Sequence, residues 1–414
     1  MIQFKNIAFL LLLLFGSFML HAQNTMSPYS IFGPGEMLPK GFGRSIGMGN
    51  SGIALSSGSQ LNNLNPASYA GIEKHHVVFE FGVEGKFSTF KSYDDKMSGF
   101  NGSLKYVAMG YRVTPWLSSS IGLSPYSTVG YKINTENSME GSLLNYNSSF
   151  EGSGGITLAY WAHSVKLSDN LFFGVNTSFL FGPLTQQESI YQSDLGMNYI
   201  SVQNDYMSSF YFDFGLQYAI KKGNTEYRLG LTYAPEQSLR SKHTYTLMDG
   251  NYSTLAYDEE SPGHITIPQT TGLGVSVQNG ENYLVALDYR TEKWKGLHYP
   301  TMSGNFVNAH NFSVGTEFRP WRQSVTNVFY KNWVYRFGLN YNSTFLKLRN
   351  NRINEYSVNF GFGFPLRERG SSLNVAFEAG SNGTTENNLV RERFLLLHVN
   401  FSLNELWFFQ RKFE

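Results

Sequence analysis

The chain has 414 residues and no cysteine. That absence excludes a disulfide framework, a thiolate metal site and the lipid-bearing cysteine that would follow a lipoprotein signal. A charge excess of one sign is missing as well. Removing Lys5 with the first 22 residues leaves 31 basic against 31 acidic residues, a formal charge of zero, so nothing points to nucleic acid. Past the N-terminus no apolar run is long enough for a spanning helix, and mean hydropathy is -0.27. Proline is scarce at 13, whereas glycine (41), tyrosine (26) and phenylalanine (34) are plentiful, a mixture that barrel strands and interfacial girdles use.

What is present is a period of two. In 333–341 the odd positions are Trp333, Tyr335, Phe337, Leu339 and Tyr341, and between them stand Val334, Arg336, Gly338 and Asn340. The same rhythm sets Tyr356, Val358, Phe360, Phe362 and Phe364 against Ser357, Asn359, Gly361 and Gly363. A third run sets Leu395, Leu397, Val399, Phe401 and Leu403 against Leu396, His398, Asn400 and Ser402. Each run has one greasy and one small or polar face, and its length suits a membrane barrel better than a soluble sandwich. Open sheet edges cannot face lipid, so a membrane-spanning sheet must close.

The first 22 residues read as an export signal: Lys5, an apolar stretch from Ile7 to Leu20, and a Leu20-His21-Ala22 cleavage context. The expected destination is the bacterial outer membrane. Fourteen strand candidates follow, near 77–90, 100–114, 116–131, 150–163, 171–182, 205–220, 226–235, 264–278, 282–291, 309–319, 332–343, 355–365, 371–380 and 393–404. Outward faces are read from Val77, Phe79, Phe81 and Val83, from Val107, Met109, Tyr111 and Val113, and from Phe210, Phe212, Phe214, Leu216 and Tyr218. Glu80, Glu84, Asp213 and Gln217 are read as inward. Short turns at Thr114-Pro115, Lys221 to Thr225, Asn279 to Glu281 and Arg367 to Gly370 belong on the periplasmic side; 132–149, 183–204, 236–263 and 292–308 are read as long external loops, with 344–354 and 381–392 of middle length.

The segment 23–76 does not alternate. Its Ser27-Pro28-Tyr29-Ser30 block, Gly-rich Gly41 to Asn50 and Asn62 to Gly71 are too rich in Gly and Pro for a strand. Ile53, Ala54, Leu55, Leu61, Leu64 and Ile72 favour a plug inside the lumen over a solvated tail. The expected organisation is therefore a signal over 1–22, a hatch over 23–76, an all-β transmembrane antiparallel barrel over 77–404 and a tail over 405–414.

The Gly-rich Arg44 to Ala54 stretch, the Asn65-Pro66-Ala67 before the first strand and Ile265 to Val277 (ITIPQTTGLGVSV) make the chain similar to the FadL/TodX outer-membrane transporters of hydrophobic compounds. The opening block and the tail Trp407-Phe408-Phe409-Gln410-Arg411-Lys412 look like a divergent paralog branch, related to the PorV-like barrels. The resemblance implies a fourteen-stranded barrel, an N-terminal hatch with Arg44, Gly47, Gly49, Asn65, Pro66 and Ala67 as gating residues, and lateral ligand release at a kink in the third strand. Pro125 falls there, flanked by Gly122 and Gly130, and its missing N–H breaks a ladder bond. A simple strand rim for Pro125, and a plain turn for Asn65-Pro66-Ala67, are the alternatives.

Other chemistry is less well supported. His75-His76 point to opposite faces of a strand with no acidic cluster beside them, and His163-Ser164 and His310 lack the companions of a nucleophilic set. Gly152-Ser153-Gly154-Gly155 has no lysine or helix to make a phosphate loop, and Asp94-Asp95 reads as a turn. The expectation is a non-enzymatic barrel without cofactor or metal. It would be a passive channel for hydrophobic or amphiphilic small molecules, fatty acids among them, in contact with outer-membrane lipids. The runners-up are a PorV-like barrel that handles exported proteins and a structural barrel.

Overall fold

The computed structural model describes residues 27–407, apart from 94, 139–140, 142–143, 193–195, 298, 300–304, 321–331 and 367–369. The signal-like segment, Asp94, Arg367, part of the 292–308 loop and the tail from Phe408 lie outside the described residues. A two-residue strand β1 (Glu36–Met37) precedes β2 (His76–Lys91), β3 (Lys96–Arg112), β4 (Leu117–Ser138), β5 (Asn145–Lys166), β6 (Leu171–Gln192) and β7 (Met197–Lys222). Then come β8 (Thr225–Ala234), β9 (Gln237–Asp249), β10 (Thr254–Ile267), β11 (Thr270–Asn279), β12 (Tyr283–Glu292) and β13 (Asn305–Phe306). The last five are β14 (Ala309–Phe318), β15 (Val334–Leu348), β16 (Asn351–Pro365), β17 (Ser372–Gly383) and β18 (Arg391–Leu406).

β8 with β9, and β10 with β11, each form one interrupted stave, so the wall is a closed antiparallel barrel of 14 strands. It closes where β18 pairs with β2, from Arg391↔Lys91 to Leu406↔His76. The alternation explains the closure. Phe360 on β16 is 52% exposed while its neighbour Asn359 is fully buried, and the same reversal runs along β11, β12 and β14. Phe210, Leu273, Leu287, Phe312, Leu339 and Leu395 continue the outer apolar surface around the wall. So much apolar area is tolerable only in lipid.

Three of the segments expected as external loops are largely strand. β4 and β5 stay paired from Lys132↔Glu151 to Ser138↔Asn145, and β6 and β7 from Pro183↔Tyr206 to Gln192↔Met197. Alternation vanishes there because both faces are polar above the bilayer, while the backbone ladder persists. In 236–263 the obstacle is Pro235, which cannot donate to β7. The Gln237 carboxamide replaces the missing peptide: its Oε1 accepts from Phe212 N at 2.8 Å and its Nε2 donates to Phe212 O at 2.9 Å. The stave then resumes as β9. On the adjoining stave Pro268 interrupts β10 and β11 at the same level, with Ala234 opposite Thr270 and Gln237 opposite Ile267. The 344–354 connection also shortens to a turn at Arg349 and Asn350, both at positive φ.

Candidate functional site: the lumen and its N-terminal segment

Residues 27–75 touch inward side chains on every side of the barrel, which places them in the lumen. They hold a four-residue helix α1 (Gly43–Ile46) and a 3-10 helix over Pro66–Gly71. Phe42, Ile46, Met48, Ile53, Ala54, Leu61 and Ile72 are almost wholly buried. So are many polar partners, because a lumen packed with irregular backbone must satisfy that backbone from the wall.

On one side Arg44 forms a two-pronged ion pair with Glu317 of β14, Nε to Oε2 at 2.9 Å and Nη2 to Oε1 at 3.0 Å. Arg336 of β15 also reaches Glu317 at 2.8 Å and donates to Asn374 at 2.8 Å. Gly47 and Gly49 lie against wall glycines: a Cβ on Gly338 would come within 2.0 Å of Gly49 N, and one on Gly361 within 2.8 Å of the Gly47 Cα. On another side Asn65 caps the 3-10 helix by accepting from Ala67 N at 3.0 Å, and its Nδ2 donates to Ile53 O at 2.8 Å. Pro66 and Ala67 lie against Gly174 of β6, where a Cβ would meet backbone at 2.3 to 2.4 Å. Ser164 donates to Ala67 O at 2.9 Å and Asp288 accepts from Gly52 N and Ile53 N at 2.6 and 2.9 Å. Arg44, Gly47 and Gly49 thus form one contact, and Asn65, Pro66 and Ala67 a second one elsewhere on the wall.

Gly122, Pro125 and Gly130 all stand on β4. Its ladder with β3 has only six pairs, from Arg112↔Ser118 to Val107↔Leu123, although both strands continue beyond them. At Pro125 the pairing with β5 shifts register and Tyr126 is the extra residue, a bulge of the kind a missing donor favours. Past that point the β4 edge is taken by the N-terminal segment. Leu38 N donates to Tyr126 O at 3.0 Å, Glu36 and Met37 pair with Thr128 and Ser127, and Ser27 N donates to Gly130 O at 2.7 Å. Gly35, at φ +94°, lets the chain pass within contact of Thr128, where no side chain would fit. The sequence reading picked out β4 but not its occupant, because two residues carry no period.

Between this segment and the wall lies a cavity of about 240 Å³. Tyr126, Tyr211, Phe345, Leu346, Ile353 and Phe394 supply apolar lining, and Lys40, Lys86, Lys105, Glu84, Glu392 and His398 supply charge. Tyr29 closes one side. Burial pushes its phenol up to about 12, so it stays neutral and donates to Val390 O. Near the longer loops Trp294 stacks on Phe345 with centroids 4.1 Å apart, and Tyr299 and Phe306 complete an aromatic cluster. That cluster was missed in the sequence because its residues fall in an aperiodic connection.

The other histidines are dispersed. His163 contacts Ser119 at 2.8 Å, His310 contacts Tyr289 at 2.9 Å and His76 contacts Asn404 at 2.8 Å. Among the described residues no group of three or more His, Asp or Glu has the geometry of a metal site.

Three solved structures share this fold. The Pseudomonas putida toluene transporter TodX is 15% identical with a TM-score of 0.59, over 90% of this chain and 100% of that one. A Pseudomonas aeruginosa FadL homologue is 12% identical with a TM-score of 0.58, over 90% and 100%. The CymD monoaromatic hydrocarbon channel is 13% identical with a TM-score of 0.57, over 88% and 98%. No curated protein sequence matches. These likenesses establish the FadL-type barrel, and sequence narrows it further: one family model, described as BamG, matches residues 1–414 from end to end, so the chain belongs to the BamG family.

Proposed function

We propose that this protein is an outer-membrane channel that admits an amphiphilic small molecule to its lumen and releases it sideways into the bilayer, with segment 27–75 as the hatch. The carrying observation is the cavity, whose lining joins aromatic and aliphatic side chains to charged ones. At about 240 Å³ it lies just below the ~300–1,000 Å³ of drug-sized ligand sites, room for a smaller molecule. The named activities of the structural neighbours, a toluene transporter and a monoaromatic hydrocarbon channel, support the same reading. Release would require residues 27–38 to leave the β4 edge and uncover the seam beyond Val107 and Leu123. A greasy tail would then pass from cavity to lipid without crossing water, where its exposure is costly.

A cross-link tests the route. Met37 and Ser127 are directly paired, so Met37→Cys with Ser127→Cys in this cysteine-free chain should form a disulfide. Oxidation should abolish uptake of a hydrophobic dye by cells carrying the double variant, and reduction should restore it. Uptake that ignores a fully formed cross-link overturns lateral release.

One observation favours a second reading on a single point, that the barrel is sealed by a plug that does not move. The segment is held by a buried Glu317 shared between two arginines and by Asp288 on two consecutive backbone amides, as a fixed plug would be. In that case the oxidised protein would keep its cellular role in full.

A further inference from the structure

The charges around the cavity do not balance, and the imbalance is local. Seven carboxylates line it against four Lys or Arg side chains and one histidine. Four of the seven are occupied: Asp213 by Lys40 at 3.1 Å, Glu84 by Lys105 at 3.2 Å, Glu378 by His398 at 3.6 Å, and Glu292 by the Trp294 indole N–H at 2.7 Å. The other three are Glu36 of β1, Glu355 of β16 and Glu392 of β18. They share one cation, Lys86, which lies 2.8 Å from Glu392 Oε1 and 3.5 Å from Glu36 Oε1.

The second carboxylate oxygens of Glu36 and Glu392 are buried without a hydrogen bond, although Glu392 is only 1% exposed. Glu355 forms no hydrogen bond or ion pair among the described residues. Two buried acceptors, in a group of three carboxyl groups that share one cation, therefore face one cavity. Its neighbouring surface is apolar: Tyr29, Phe345, Leu346, Ile353 and Phe394. The Phe394 ring holds the Lys86 ammonium at 5.0 Å from its centroid, so the corner already accommodates one ammonium between ring and carboxylate.

We infer that the ligand of this cavity is an organic cation, a primary amine or similar ammonium group on a short apolar body, held by Glu36, Glu355 and Glu392. An ammonium brings three donors to the open oxygens, whereas a fatty-acid carboxylate would add a fourth carboxyl group, itself only an acceptor when ionised, to the same corner. This assignment rests on the amphiphile reading of the channel.

The test uses the full-length protein in neutral detergent and three probes of equal chain length: octylammonium, octanol and octanoate. Calorimetric titration should give octylammonium the highest affinity, by about tenfold over octanoate, with a preference that shrinks as salt is added. Glu355→Gln should erase that preference. Glu392→Gln, checked for the heat-modifiable mobility of a folded barrel, should do the same. Octanoate binding as tightly as octylammonium, or a preference untouched by either variant, overturns the cation assignment and leaves the amphiphile reading standing. Binding of none of the three probes overturns both.

Discussion

Glu317 accepts from Arg44 and Arg336 at once, with Arg319 a further 3.9 Å away. Its removal would leave two buried guanidinium groups facing each other without an anion. Glu317→Ala should therefore cost about 3–5 kcal/mol of unfolding free energy, measured by denaturant titration of the refolded barrel. The same substitution in an Arg44→Met background should cost clearly less, since one orphaned cation is gone; strict additivity would mean that the pair does not interact. Outside the wall the reasoning reverses. Phe360 is exposed to lipid, and Phe360→Arg should cost about 2–4 kcal/mol where it lies near the midplane. Phe360→Leu should be nearly silent in the same titration, and equal damage from both would contradict the assigned face.

At the scale of elements, the barrel's inward glycines are sockets rather than hinges. Gly338 leaves room for the Met48–Gly49 backbone and Gly174 for Pro66–Ala67, so Gly338→Leu should expel that part of the segment while the wall still forms. Protease added to purified, heat-modifiable protein should cut near Met48 in the variant and spare the parent. Resistance in both would mean that the contact is dispensable. Staves were legible wherever one face met lipid, as in Tyr356 to Phe364, because only there does burial impose a period of two. They were illegible beyond the bilayer, as in 132–138, and after Pro235, where a glutamine side chain restores the ladder. Arg44 and Asn65 stood out by family resemblance. Of their partners, Gly338 was visible only as a position on the small or polar face, and Glu317 and Asp288 were not singled out, since sequence does not say which part of the lumen an aperiodic segment will reach.

For the whole molecule, the proposed hatch makes permeability the quantity to measure. Deleting 24–60 while keeping the first 22 residues should leave a heat-modifiable barrel and make cells sensitive to bulky antibiotics. Unchanged sensitivity with a folded barrel would show that the remaining side chains seal the lumen unaided. The closing seam adds a constraint on time rather than space. Glu80 on β2 accepts from Leu61 N at 3.1 Å and from Asn400 Nδ2 on β18 at 2.7 Å, and Asn400 lies against Gly43. The first and last staves therefore meet against Gly43 and Leu61 of the segment. Enclosed while the sheet is still open, the segment would act as the mandrel on which the ends find register. Barrels made without it should close more slowly and in mixed register, visible as a delayed, heterogeneous heat-modifiable band during refolding.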